Sequence, residues 1–204
     1  MVRAAVAANN APTRNRSPWC RAGLVSVVLA TVLSTAMPAA AYDRPLLLER
    51  VASYFAQRPA ELRCPSVEEW TSDPIWGSAA GPQGAWGYTD MPNDYIVLHP
   101  ALCAGALAVS DPALPAWQRA TGVLALVHEA YHLRRWTWRR SEARVECAAI
   151  AHFTSAARQL GASPQLANDL LPYALAAHAR MVTLFPNYRA RHCRLPLWAS
   201  PLSP

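Results

Sequence analysis

The 204-residue chain contains no lysine; all 19 of its basic residues are arginine, a bias that reads as a coding preference without functional weight. Acidic residues are also missing before Asp43, whereas Arg3, Arg14, Arg16 and Arg21 all lie in that stretch. A positive, acid-free start, an apolar run over 22–36 and the small residues of "AMPAAAYD" predict a secretory signal peptide over 1–41, cut after Ala41. The apolar run falls short of the ~20 residues that a spanning helix needs, which favours export over a retained anchor and implies no stable membrane insertion after cleavage. Removing the four leader arginines lowers the formal net charge from +6 to +2, too little for a whole-protein case for nucleic acid. No pair of cysteines has Cys-x-x-Cys spacing, so a four-cysteine zinc site finds no support.

What remains is a chain of one-domain size, residues 42–204, with a modest core. Cys20 leaves with the leader, and Cys64, Cys103, Cys147 and Cys193 form an even set. In an exported protein that set predicts two disulfides with three possible connectivities. Pairing Cys64 with Cys103 and Cys147 with Cys193 keeps each bridge within one half of the chain and is the preferred reading.

Leu47, Leu48, Val51, Ala52 and Phe55 have helical spacing, with Pro45 near the start of that helix. Residues 59–85 are rich in Pro, Gly, Ser and Trp and read as irregular structure held by Cys64. "AWGYTDMPNDYIVLHP" predicts two short strands around a Met-Pro-Asn-Asp turn, the second covering 95–99. "ALCAGALAV" reads as a short helix or turn, and "SDPALP" as a break. A long helix then runs from Ala116 to about Arg135, with Ala120, Val123, Leu124, Val127 and Tyr131 as its apolar stripe. Beyond "WTWRR", Ser141 is the expected N-cap of a second helix that stops at Gly161. A third, over 163–185, contains Pro172, a possible kink, and the Pro-rich tail from Pro186 is expected to be tied down by Cys193. The chain has no internal repeat.

The chemistry concentrates in "LALVHEAYHLRRW". Residues four apart lie on one face of a helix, so His128 and His132 can offer both imidazoles to one ion. Glu129 then sits beside that ion, placed to take a proton from activated water and return it to a leaving amine. This is the His-Glu-x-x-His pattern of zinc peptidases. A tetrahedral catalytic zinc needs a third protein ligand and one open position. Metzincins would supply a His six residues after the second motif histidine, but Trp138 stands there, and Arg135 stands where their Gly would be. The chain continues instead into "SEARVECAA", in which Glu142 and Glu146 are one helical turn apart.

With these residues the chain resembles the gluzincin side of the zincin peptidases. More closely, "HEAYHL" together with "SEARVECAA" looks like small secreted actinobacterial His-Glu-x-x-His proteins, over residues 86–160. The resemblance implies Glu142 as the third zinc ligand and Glu146 as the group behind it that orients an imidazole. The reverse assignment of these two stays open. It further implies an α+β, zincin-like domain: a small antiparallel sheet over 86–99 packed on the motif helix, then the Glu-bearing helix and a further C-terminal helix. The segment 94–99 is the expected strand for pairing with an extended peptide or protein substrate.

His178 is the first choice for a donor that stabilises the oxyanion, ahead of His152, Tyr131 and Tyr173. His99 and His192 read as structural or solvated. Trp70, Trp76, Trp86, Trp117 and Trp198 read as packing. The cluster Arg134, Arg135, Arg139, Arg140 and Arg144, interleaved with Trp136 and Trp138, admits a different function. The main expectation is a secreted zinc metallopeptidase. Its alternatives are a non-catalytic zinc-containing binding or inhibitor module, and a cell-surface polyanion-binding protein that uses segment 134–144.

Overall fold

A computed structural model describes residues 44–72, 86–134 and 141–189, all within one compact unit that spans 38–204. The expected signal peptide, Trp76, His192, Cys193, Trp198 and most of the Arg–Trp segment, including Trp136 and Trp138, lie outside the described residues. The class is α+β: the described residues form six helices and a three-stranded sheet that packs on the first and fourth of them. Among the described residues, no helix is long and apolar enough to cross a membrane.

Helix α1 spans Leu46–Ala56 and buries Leu48, Val51, Ala52 and Phe55, the face set by the apolar spacing. The next segment differs from expectation. It contains strand β1, Glu61–Arg63, and helix α2, Val67–Ser72, which Ser66 starts by accepting from the Glu69 N–H while Glu69 accepts the Ser66 N–H. Strands β2 (Gly87–Asp90) and β3 (Tyr95–Leu98) pair antiparallel around a turn. β1 joins the other side of β3 in parallel, so the order is β1-β3-β2 and the sheet is mixed rather than purely antiparallel. β3 therefore has both edges occupied. The segment expected to pair with substrate cannot do so; β1 and β2 are the strands with a free edge among the described residues, and β2 is the one of the two that packs on the fourth helix.

Helix α3, Pro100–Leu107, is started by the His99 imidazole, whose Nδ1 accepts the Ala101 N–H at 3.2 Å. His99 is thus structural. The Cys64–Cys103 disulfide ties the end of β1 to α3, with 5.9 Å between the Cα atoms. Cys147 is also disulfide-bonded, and its expected partner Cys193 lies outside the described residues.

Helix α4, Ala116–Leu133, is the axis of the domain: every residue from Arg119 to Leu133 is buried. It packs against α1, α3, β2 and the two later helices, α5 (Glu142–Gln159) and α6 (Pro164–Leu184). Against α3 the approach is so close that a Cβ at Gly122 would lie 2.4 Å from the Leu102 carbonyl oxygen. Ser141 and Ser163 cap α5 and α6 through their side chains, and α6 continues through Pro172. A single 3₁₀ turn, Pro186–Tyr188, comes after α6. The indole expected to pack at position 117 does not: Trp117, in the first turn of α4, is 57% exposed.

Candidate metal centre

A helix buried on all sides has no solvated face for polar groups, so each buried polar side chain on α4 must find a partner. Arg119 Nη1 and Thr121 Oγ1 donate to the carbonyls of Val109 and Trp117, which leaves Arg119 Nε without a partner among the described residues. His128, Glu129 and His132, only 5%, 7% and 8% exposed, lie about two to four turns further on, and find partners on β2, α5 and each other.

His132 Nε2 lies 3.1 Å from His128 Nε2. Glu142, the first residue of α5, brings Oε2 to 3.1 Å from His128 Nε2 and 3.3 Å from His132 Nε2. Three donor atoms thus form a nearly equilateral triangle. An ion with bonds of ~2.0–2.1 Å in tetrahedral geometry requires donor separations of roughly 3.3 Å. The residues present fit a metal ion, and the group His128, His132 and Glu142 can hold one.

Glu146 occupies a different place. Only 1% exposed, it faces the opposite edge of the His128 ring, with Oε2 2.7 Å from Nδ1. A proton on Nδ1 donated to Glu146 leaves Nε2 free to face the triangle. The second oxygen of Glu146, Oε1, takes His178 Nδ1 at 3.0 Å. His178, read from sequence as an oxyanion donor, is therefore committed through Nδ1 to holding this carboxylate.

These contacts set the charges. Burial alone would lower the His128 pKa, but hydrogen bonds to Glu142 and Glu146 overturn that and raise it from 6.5 to about 10. Burial would likewise raise Glu142, yet His128 and His132 hold it well below the ordinary carboxylate range. Burial opposes the same effect at Glu146, which His128 and His178 bring down to about 2. Without a metal, the His128 imidazolium supplies the positive charge between the two carboxylates.

Glu129 points its carboxylate toward β2, where Thr89 Oγ1 lies 2.7 Å from Oε2. Tyr188 completes the surroundings. Its ring stacks on His128, with centroids 5.5 Å apart and planes 17° from parallel. Burial first, and then the Glu142 and Glu129 charges, push its phenol well above the ordinary range, so it stays a neutral donor. Sequence reading missed both residues. Tyr188 had one signal, its place just beyond a helix that carries His178, and Thr89 had none beyond its strand.

Other candidates fall away from the site. His152 stacks on Tyr131 and contacts Phe55. Tyr173 is exposed and lines a groove of about 330 Å³ with Trp86, Trp117, Arg180 and Leu184. Arg134 places its guanidinium over Tyr131. No protein-family model matches the chain, and no curated protein or solved structure matches it either, so the centre stands on its own geometry.

Proposed function

We propose that the protein is a secreted zinc metallopeptidase. The observation that carries this reading is the triangle of His128, His132 and Glu142 donor atoms at 3.1–3.3 Å, with a buried carboxylate, Glu129, next to the first ligand in the chain. Two imidazoles and one carboxylate suit zinc and leave a position open. Zinc bound there would supply Lewis acidity, lowering the pKa of the attacking water and polarising the scissile carbonyl.

The chain's own residues do the rest. Glu129 takes the water proton as oxygen adds to the peptide carbonyl, and gives it to the amine nitrogen as the C–N bond breaks. Tyr188, rather than His178, is assigned as the donor to the carbonyl oxygen as that oxygen gains charge, because it lies against the ligand group and keeps its proton. Glu146 and His178 fix the His128 ring from behind. The free edge of β2 gives an extended peptide a row of main-chain partners. The groove that begins at Trp86, one residue before β2, gives a substrate side chain an apolar seat. Two disulfide-bonded segments and the leader sequence support action outside the cell.

The test is peptide-library cleavage by oxidised, zinc-loaded protein from Tyr42 onward, beside Glu129→Gln, with metal content measured on the same samples. Cuts present in the wild type and absent in the variant carry the reading; a fully zinc-loaded wild type that cuts nothing overturns it. A second reading, a zinc-stabilised binding or inhibitor module, draws on the burial of both imidazoles and the ring of Tyr188 lying on His128. Its signature is a large rise in melting temperature on zinc binding without turnover.

A further inference from the structure

A general base must present one oxygen to the reacting proton and hold the other still. The Glu129 side chain has three rotatable bonds, and on a buried helix its only neighbours can restrain it. The Thr89 hydroxyl lies 2.7 Å from Glu129 Oε2 and 3.0 Å from the Glu129 carbonyl oxygen. It has one proton to give. The shorter, charge-assisted contact is the stronger acceptor, so that proton belongs to Oε2. Among the described residues, no other side chain donates to the Glu129 carboxylate.

The backbone brings this donor into place. Gly87 and Thr89 are two apart on β2 and so share a face. A Cβ at Gly87 would lie 3.4 Å from Glu129 Cγ and 2.7 Å from the Val97 carbonyl oxygen. The bare position therefore lies against the Glu129 methylenes while the next one on that face reaches its oxygen. Because Thr89 uses its side chain for this, its main-chain groups stay available at the strand edge.

We propose that Thr89 is a positioning residue for Glu129: its hydroxyl pins Oε2 and leaves Oε1 as the oxygen that takes and returns the proton. The inference rests on the metallopeptidase reading. It adds a requirement that the His-Glu-x-x-His spacing does not contain, a hydroxyl on the edge strand. Losing the hydroxyl frees the carboxylate to rotate away from the proton path, which slows the chemical step and leaves substrate and metal binding in place.

The experiment compares oxidised, zinc-loaded wild type with Thr89→Val, which keeps the shape and removes the hydroxyl, and Thr89→Ser, which keeps the hydroxyl. Zinc content, melting temperature, kcat and KM are measured for each on one library-derived peptide. The expected result for Thr89→Val is full zinc, a folded protein with a modestly lower melting temperature, unchanged KM, and a kcat lower by about 10- to 100-fold, as for other outer supporting contacts. Thr89→Ser should keep most of the wild-type kcat. A Thr89→Val variant as fast as wild type overturns the inference and leaves the peptidase reading intact. Equal losses in both variants, or loss of zinc or fold in Thr89→Val, make the residue structural and also overturn it. A zinc-loaded wild type that cleaves nothing overturns the peptidase reading itself, and this inference with it.

Discussion

The two ends of α4 bury polar side chains to the same degree and use them in opposite ways. At the N-terminal end, Arg119 and Thr121 donate to main-chain carbonyls, and each bond is complete without anything added. At the C-terminal end, His128 and His132 turn ring nitrogens toward each other and toward a carboxylate, an arrangement into which a metal ion can fit. Burial of polar groups is thus no sign of a site by itself. Convergence of lone pairs is.

The sharpest way to break the comparison is to leave the metal and remove the chemistry. Glu129→Gln should retain stoichiometric zinc and lose activity by about 10²- to 10⁴-fold, checked by metal analysis and cleavage rate on one sample. His128→Ala and Glu142→Ala should each lose stoichiometric zinc on gel filtration, because two donors leave a buried cation short of ligands. Glu146→Gln keeps all three donors and should weaken zinc by about 10- to 100-fold in a competition titration. A larger loss in Glu146→Gln than in Glu142→Ala would reverse the roles of the two carboxylates. At the other end of the helix, Arg119→Met should cost about 1–3 kcal/mol of stability through the carbonyl it leaves unpaired, with zinc affinity unchanged.

Protons sharpen the same contrast. At pH 7 the metal-free His128 carries two ring protons, since its pKa is raised to about 10, and zinc must displace the one on Nε2. Calorimetry in buffers of different ionisation enthalpy should therefore show proton release on zinc binding, fading as pH rises through that value. For the metal-free protein, the raised His128 contributes stability that is full below 6.5 and is lost as pH rises toward about 10. The depressed Glu142 and Glu146 contribute stability that is present above 4.5 and is lost as pH falls, toward about 2 for Glu146 and further down for Glu142. The metal-free melting temperature should peak between pH 4.5 and 6.5, and replacing His128 should remove the alkaline limb of that profile.

Helical spacing made much of this legible in advance. His128, Glu129 and His132 share one turn of α4, and Glu142 and Glu146 share one turn of α5, so local periodicity showed that each set faces one way, while the resemblance to the gluzincins supplied the roles of the two later carboxylates. The buried face of α1 and the cap Ser141 came from the same local rules. β1 did not, because a three-residue strand in parallel with β3 is stabilised by partners more than 30 residues away. Without it the sheet looked antiparallel and β3 looked like an edge. Thr89 and Tyr188 were hidden for a related reason: one reaches Glu129 across 40 positions, and the other lies past a helix end where periodicity stops. Trp117 read as core because its size was legible and its facing was not.

The ligand set has a bearing on how the molecule is made. His128 and Glu142 are 14 residues apart, joined by one short return between consecutive helices, so closing that loop costs little chain entropy. The group behind them is assembled from much further along: His178 meets Glu146 across 32 residues. A chain emerging from its N-terminus would therefore present all three donors while α6 is still being synthesised. The pair of α4 and α5 thus carries all three donors before α6 is complete, and the last quarter of the chain adds the support behind them rather than the donors themselves.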